Sequence, residues 1–205
     1  INYTPVQHSP YLSQLADADV YLKLDCIQKT GSFKFRGAMS KLISIPESER
    51  KSNAYAASTG NHGAAVSLGA SILGMKCNVI VPEGTSPAKL EMIKMYGGTI
   101  EFYGTDCLEA EAHAQKLVLE NGGTYVSPYN DEAVIRGQGT MGVELSESLT
   151  NIEAVFVAVG GGGMIGGLGT YLKTVFTNIE IVAASPKNSC VMYETLQAGK
   201  ILDLP

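Results

Sequence analysis

A chain of 205 residues with a net charge of −5, 45% hydrophobic and 17% charged, is long enough to bury a real core in one or two domains. The acidic balance, without any long basic run, argues against nucleic acid or an anionic membrane surface as a partner. No apolar run approaches the roughly 18 residues that span a bilayer, and the start shows no basic stretch leading into an apolar one.

From the N-terminus, Asn2-Tyr3-Thr4-Pro5-Val6 reads as extended, and Ser9-Pro10 supplies a helix N-cap with proline at the first helical position. Val20, Leu22 and Leu24 alternate with Tyr21, Lys23 and Asp25, the period of a strand. A turn at Gly31 leads into a helix through residues 38–43. Residues 53–57, 76–81, 99–103, 124–126, 153–159 and 179–184 then read as strands. Helices are expected between and after them, over 61–73, 87–96, from Asp106 to Asn121, over 132–149, from the glycine run to about 176, and over 191–197. Asp106-Cys107-Leu108-Glu109 has the D-x-x-E capping pattern, and Gly97-Gly98 and Gly122-Gly123 are helix stops. Strands alternating with helices of this length imply parallel βαβ units and an α/β fold. Cys26, Cys77, Cys107 and Cys190 form no C-x-x-C pair, so free thiols in a reducing cytoplasm are expected. His8, His62 and His113 have no ligand spacing, so no metal site is expected.

Three stretches carry chemistry. In Thr30-Gly31-Ser32-Phe33-Lys34-Phe35-Arg36-Gly37, a lysine sits between two aromatics where a turn gives way to a helix. Removing its ammonium from water lowers its pKa and frees an amine able to attack a carbonyl. By itself the octet reads more simply as a lysine that covers apolar surface with its stem and keeps its head in water, and the other two stretches reverse that reading. The second stretch, Val155-Phe156-Val157-Ala158-Val159, runs into Gly160-Gly161-Gly162-Gly163-Met164. Glycines at a helix start bring free N–H donors and the positive end of the dipole up to an anion, and a phosphate is the natural guest. Gly161, Gly163 and Gly166 also satisfy the dinucleotide pattern G-x-G-x-x-G, which would make the chain a nucleotide-binding module without catalysis. That fold needs an acid at the end of the next strand, however, and the strand ends in Ala183-Ala184-Ser185. The third stretch, Ala57-Ser58-Thr59-Gly60-Asn61-His62-Gly63, joins a strand to a helix with hydroxyls, an amide and backbone N–H groups suited to a carboxylate. Ser58 or Thr59 as a plain N-cap, and His62 as a satisfied surface histidine, are the simpler readings there. A phosphorylated aldehyde cofactor holding an amino acid calls for all three stretches together.

These residues resemble the fold-type II pyridoxal-phosphate enzymes related to the tryptophan synthase β subunit, and within them the serine/threonine dehydratases and serine racemases. The lysine motif S-F-K-x-R-G-A appears as Ser32 to Ala38, the S-x-G-N-H loop as Ser58 to His62, and the tetraglycine loop as Gly160 to Gly163. Pro128 and Ile135-Arg136-Gly137-Gln138-Gly139-Thr140 also resemble the family's return into its large domain. The resemblance implies two domains, each a mostly parallel twisted sheet flanked by helices. Residues 1–48 and 131–205 would form a large cofactor-binding domain, incomplete at its C-terminal end, and 49–130 a small domain carrying the substrate loop. It implies pyridoxal phosphate joined to Lys34, Phe33 packed beside it, Asn61 at its ring hydroxyl, and the amides of Gly160, Gly161, Gly162, Gly163 and Met164 on its phosphate. Ser58, Thr59, Gly60, Asn61 and His62 would bind the substrate carboxylate. The implied reaction is loss of water from a β-hydroxy-α-amino acid, giving a 2-oxo acid and ammonia, with Lys34 as base. Candidate substrates are threonine, serine, 3-hydroxyaspartate and a hydroxyectoine-derived compound. The expected assembly is a homodimer, with a small amino acid as its partner.

The chain departs from the family at three points. Thr59 stands where serine racemases carry a serine acting as acid/base on the opposite face, and where many dehydratases carry alanine. A β-branched threonine is stiff at χ1, so its hydroxyl is expected to be committed to nearby backbone or to substrate, and elimination to outrun racemisation. Ser185 replaces a glutamate of the metal-activated members. The family's C-terminal partner to the pyridine nitrogen has no counterpart in these residues.

Overall fold

The computed structural model describes residues 1–202, so the last three residues of the expected 131–205 segment lie outside the described residues. β1 (Val6–His8) and β2 (Tyr21–Lys23) pair antiparallel around α1 (Pro10–Ala16), whose N-cap Ser9 accepts from Leu12 N. α2 (Lys34–Ser44) follows, opening at Lys34 itself, ahead of the expected 38–43 stretch. β3 (Ala54–Ala57), β4 (Cys77–Val81), β5 (Thr99–Phe102) and β6 (Thr124–Tyr125) form a parallel sheet in the order β5-β4-β3-β6. Their connections are α3 (Asn61–Ile72), α4 (Pro87–Met95) and α5 (Cys107–Asn121). After α6 (Glu132–Ser148), β7 (Ala154–Ala158) and β8 (Glu180–Ala184) pair in parallel around α7 (Gly163–Val175), and α8 (Val191–Ala198) comes last. The α/β class and the parallel sheet flanked by helices are thus as expected. Two single turns of 3-10 helix, Asp25–Ile27 and Glu47–Glu49, went unread because neither has an apolar period. Asp106 caps α5 by accepting from Leu108 N and Glu109 N, while the Glu109 carboxylate reaches Thr105 N at 2.6 Å, one residue outside the expected capping box. All four cysteines are unpaired.

Two apolar clusters share α6. The first gathers Phe35, Leu42, Ala56, Val66, Val79 and Ile93 with Val134 from the first turn of α6. The second gathers Val157, Leu168, Leu172 and Ile179 with Met141 and Leu145 from farther along it. α6 can serve both because its neighbours come within backbone distance. A Cβ at Gly137 would lie 2.6 Å from Arg36 O on α2, and one at Gly167 of α7 would lie 2.0 Å from Ile135 O of α6. Real side chains do not fit at such spacings. The helix carrying Lys34 and the helix that follows the glycine run are therefore pressed against one common partner.

A buried charge cluster sets how α2 lies on α6. The Arg36 side chain is wholly excluded from solvent, and its guanidinium donates to Asp25 at 2.7 and 2.9 Å and to Glu144 at 2.5 and 2.8 Å. Thr4 Oγ1 donates to Asp25 at 2.6 Å, and Lys23 Nζ donates to Glu144 at 2.5 Å and to Thr4 O at 2.6 Å. Burial works against both charged forms. The bonds to Glu144 and Asp25 nonetheless outweigh it to hold the Arg36 guanidinium above its ordinary value, and those from Arg36 and Lys23 hold the Glu144 carboxyl at about 2. Removing one member of a buried, fully bonded set strands the others and costs about 3–5 kcal/mol. Arg36→Met should lose that much in urea unfolding. Lys116→Met, at an exposed pair with Glu120 on α5, should lose less than about 0.5 kcal/mol.

Candidate active site

Lys34 occupies the first turn of α2, where the positive end of the helix dipole disfavours a further positive charge. Its N–H is held by Ser32 Oγ at 3.3 Å, so the serine of the motif closes the turn before the helix. The side chain runs inward, with Nζ 5.2 Å from the Phe33 ring centroid and donating to Pro128 O at 2.7 Å. Burial lowers its pKa below that of an ordinary lysine.

The loop from β3 to α3 presents unbonded donors. Ser58 Oγ accepts from Gly60 N at 3.2 Å, while the N–H groups of Thr59, Asn61, His62 and Gly63 take no partner among the described residues. They form the open N-terminus of a twelve-residue helix, the setting that attracts a carboxylate. The Asn61 side chain is exposed, and neither it nor the Thr59 hydroxyl has a hydrogen-bond partner among the described residues. The expected commitment of Thr59 to nearby backbone is therefore not what the structure shows. His62 differs from its expectation as well. Its imidazole is turned into the interior, 3% exposed, with Nε2 donating to Val126 O at 2.7 Å and Nδ1 unpartnered. What His62 offers on the loop is its N–H, not its ring.

The glycine run leaves β7 at Ala158 and enters α7, with Gly162 in the left-handed region at φ 82°. The N–H groups of residues 160–165 have no partner among the described residues, and the first bond back into the run is Gly166 N to Gly162 O at 2.9 Å. No atom lies within 4 Å of where a Gly160 Cβ would be. Met164 packs into the second apolar cluster and contributes its N–H alone to the loop.

A short segment after β6 brings the three stretches together, and sequence reasoning gave it no chemical role. Val126 O takes the His62 ring behind the substrate loop, Pro128 O takes the Lys34 amine, and Tyr129 lies against Gly161 and Gly163 of the glycine loop. The only mark of this in the sequence was Pro128, read as the return of the chain. Arg36 and Glu144 were missed too, because their pairing spans 108 positions and no spacing rule joins them.

A family model described as pyridoxal-phosphate dependent enzyme matches residues 1–205. The chain belongs to that family. It is 36% identical over 205 residues to a serine racemase of Arabidopsis thaliana, all of this chain against 62% of that one, and 39% identical over 196 residues to a catabolic L-threonine dehydratase of Staphylococcus aureus, 95% of this chain against 57%. The solved structure of maize serine racemase superposes with a TM-score of 0.95 at 32% identity, covering all of this chain and 62% of that one. The chain thus spans about three fifths of the length of the relatives it matches. Its residues fit the family's cofactor on their own evidence. Orphan N–H donors and an open cradle at the glycine loop suit a phosphate, and a desolvated amine suits an aldehyde. Among the described residues, no three His, Cys, Asp or Glu gather as a metal site, and no helix is long and apolar enough to cross a membrane.

Burial, aided by the neighbouring Lys34 charge and opposed by the bond to Val126, pushes His62 down to about 4. Its folded pKa lies below the usual value of about 6.5, so its neutral form supports the fold fully above pH 6.5, and that support is lost as pH falls towards 4. Nitrogen NMR should show the neutral Nε2–H tautomer unchanged from pH 8 to pH 5. A midpoint above 6 would contradict the buried placement.

Proposed function

We propose that the protein at its full length is a serine/threonine dehydratase-like ammonia-lyase, which eliminates water from a β-hydroxy-α-amino acid. The observation that carries this reading is the Lys34 amine, desolvated and held on Pro128 O, together with two loops whose N–H groups take no partner among the described residues. Pyridoxal phosphate, when bound, supplies the aldehyde that takes the substrate amine and the electron-withdrawing ring that acidifies its Cα. The residues around it then have distinct tasks. N–H groups of 160–164 hold the phosphate, with Phe33 beside the ring and Asn61 near its hydroxyl. N–H groups and hydroxyls of 58–62 hold the substrate carboxylate and so fix which Cα bond faces Lys34. Lys34 Nζ, whose burial disfavours its charged form, takes the Cα proton. The electron pair left at Cα forms the Cα=Cβ bond as the β C–O bond breaks, and the hydroxyl leaves as water, the proton removed from Cα accounting for its second hydrogen. The unsaturated amino acid released hydrolyses to a 2-oxo acid and ammonia. Threonine and serine are the first substrates to test, with 3-hydroxyaspartate and a hydroxyectoine-derived compound after them.

The reading extends to domain organisation and assembly. Residues 49–130 are assigned to a small substrate-loop domain, and 1–48 with 131–205 to a large cofactor-binding one, supported by the separate four-stranded sheet and the second apolar cluster. A homodimer in the cytoplasm is supported by exposed Tyr11 and Leu15 on α1 and by four unpaired thiols.

Borohydride reduction of the loaded protein should fix the label on Lys34, and Lys34→Ala should lower 2-oxo acid release by more than about a thousandfold, since anchor and base go together. A label on Lys23 or Lys41 would overturn the assignment.

The unbonded Thr59 hydroxyl favours a second reading, racemisation, in which Thr59 gives a proton to the face opposite Lys34. Thr59→Ala should keep most of the elimination rate, and Thr59→Ser should raise any D-serine output by relieving the stiff χ1. Chiral chromatography of serine alongside pyruvate release decides between the readings, and D-serine formed faster than pyruvate by the unmutated protein would install racemisation.

A further inference from the structure

The segment between Val126 and Asn130 is built more firmly than a passive connection requires. Ser127 Oγ, 5% exposed as a residue, accepts from Asn130 N at 3.0 Å and from Tyr129 N at 3.5 Å, folding the chain over its own hydroxyl. Val126 N is bonded to Tyr55 O at 2.8 Å, and Val126 O takes His62 Nε2, so the entry is tied to β3 and α3. At the exit, Asp131 caps α6 by accepting from Ala133 N at 2.8 Å and pairs with Lys41 of α2 at 2.6 Å. Between these anchors two consecutive residues meet two different stretches. Pro128 O holds the Lys34 amine at 2.7 Å. Tyr129 covers the glycine loop: a Cβ at Gly161 would fall 2.4 Å from its Cγ, and one at Gly163 would fall 2.8 Å from its Cα. The Tyr129 hydroxyl donates to Glu111 of α5 at 3.3 Å.

We infer that Tyr129 is a positioning residue that gauges the distance between the Lys34 amine and the phosphate-binding N–H groups of residues 160–164. The inference rests on the cofactor reading above and assigns its span to a named side chain. The physical argument is one of rigidity. Glycines leave the loop without side chains to define its shape, and each is entropically costly to order. A planar ring laid on Gly161 restores that definition from outside, as packing does in a core. Since Pro128 and Tyr129 are adjacent, the amine and phosphate contacts cannot drift apart independently. The ring lies against the loop, while the Lys34 amine is held by Pro128 O, so loss of the ring should loosen the hold on phosphate while leaving the amine as reactive as before.

The test compares two aldehydes that differ by the phosphate alone. Dissociation constants of pyridoxal phosphate and of pyridoxal are measured by spectral titration of the cofactor-stripped, full-length protein. Tyr129→Leu should weaken pyridoxal phosphate by tenfold or more and leave pyridoxal within twofold, while Tyr129→Phe, which keeps the ring and loses only the bond to Glu111, should stay within threefold for both. Tyr129→Trp, too large for the spacing at Gly161, carries the same expectation as leucine where the leucine chain does not fold. A Leu or Trp variant that binds pyridoxal phosphate within threefold of the unmutated protein, or weakens both aldehydes equally, would overturn the inference and leave the cofactor reading standing. Unmutated protein that takes up neither aldehyde would overturn both.

Discussion

The arrangement depends first on a guanidinium with no access to water. Arg36 follows Lys34 by two positions in the same helix, and its charge can stay buried only because Asp25, Glu144, Thr4 and Thr140 surround it with acceptors. Those acceptors come from before α2 and from the middle of α6. Satisfying the charge therefore decides how α2 is rotated and where it stops along α6. Lys34 inherits that rotation. It points into the site because Arg36, about 200° round the helix at 3.6 residues per turn, must point into the cluster.

The same helix, α6, carries the constraint across the molecule. Gly137 meets α2 and Gly167 meets α6 at distances that allow no side chain, so both flanking helices are held at backbone contact. α7 brings with it the glycine run at its N-terminus. The amine at the start of α2 and the anion-binding amides at the start of α7 are thus fixed by two crossings on one rod, and neither loop need be rigid by itself.

Electrostatically, the site is arranged against positive charge at the amine. Burial, a helix N-terminus and a neutral buried imidazole surround Lys34, while two fans of N–H groups await anions. Disfavouring charge on the amine and offering N–H donors to anions act in the same sense. A substrate carboxylate and a phosphate bring negative charge where the protein has placed only partial positive charge, so that binding raises no like-charge conflict with Lys34. The interior turn of His62 fits this pattern, because a protonated ring at that depth would stand charged beside the amine.

Local chemistry in the sequence determined much of this protein. Alternating apolar and helical periods, proline and serine at helix starts and glycines at helix ends set the elements, nearly all within a residue or two, because caps and periods act over a few residues. The motifs around Lys34, Ser58 to His62 and Gly160 to Gly163 named the chemistry, because an amine, a carboxylate hole and a phosphate hole need those residue types in those short patterns. Only the tertiary structure decided which atoms face the site. It turned the His62 ring inward, left the Thr59 hydroxyl unbonded, put Pro128 O on the Lys34 amine and laid Tyr129 on the glycine loop. The three contacts among these join residues about 30 to 95 positions apart, and the cluster holding α2 reaches across 108. Such pairings follow from how whole helices and strands bury their apolar faces together, and no local pattern encodes them.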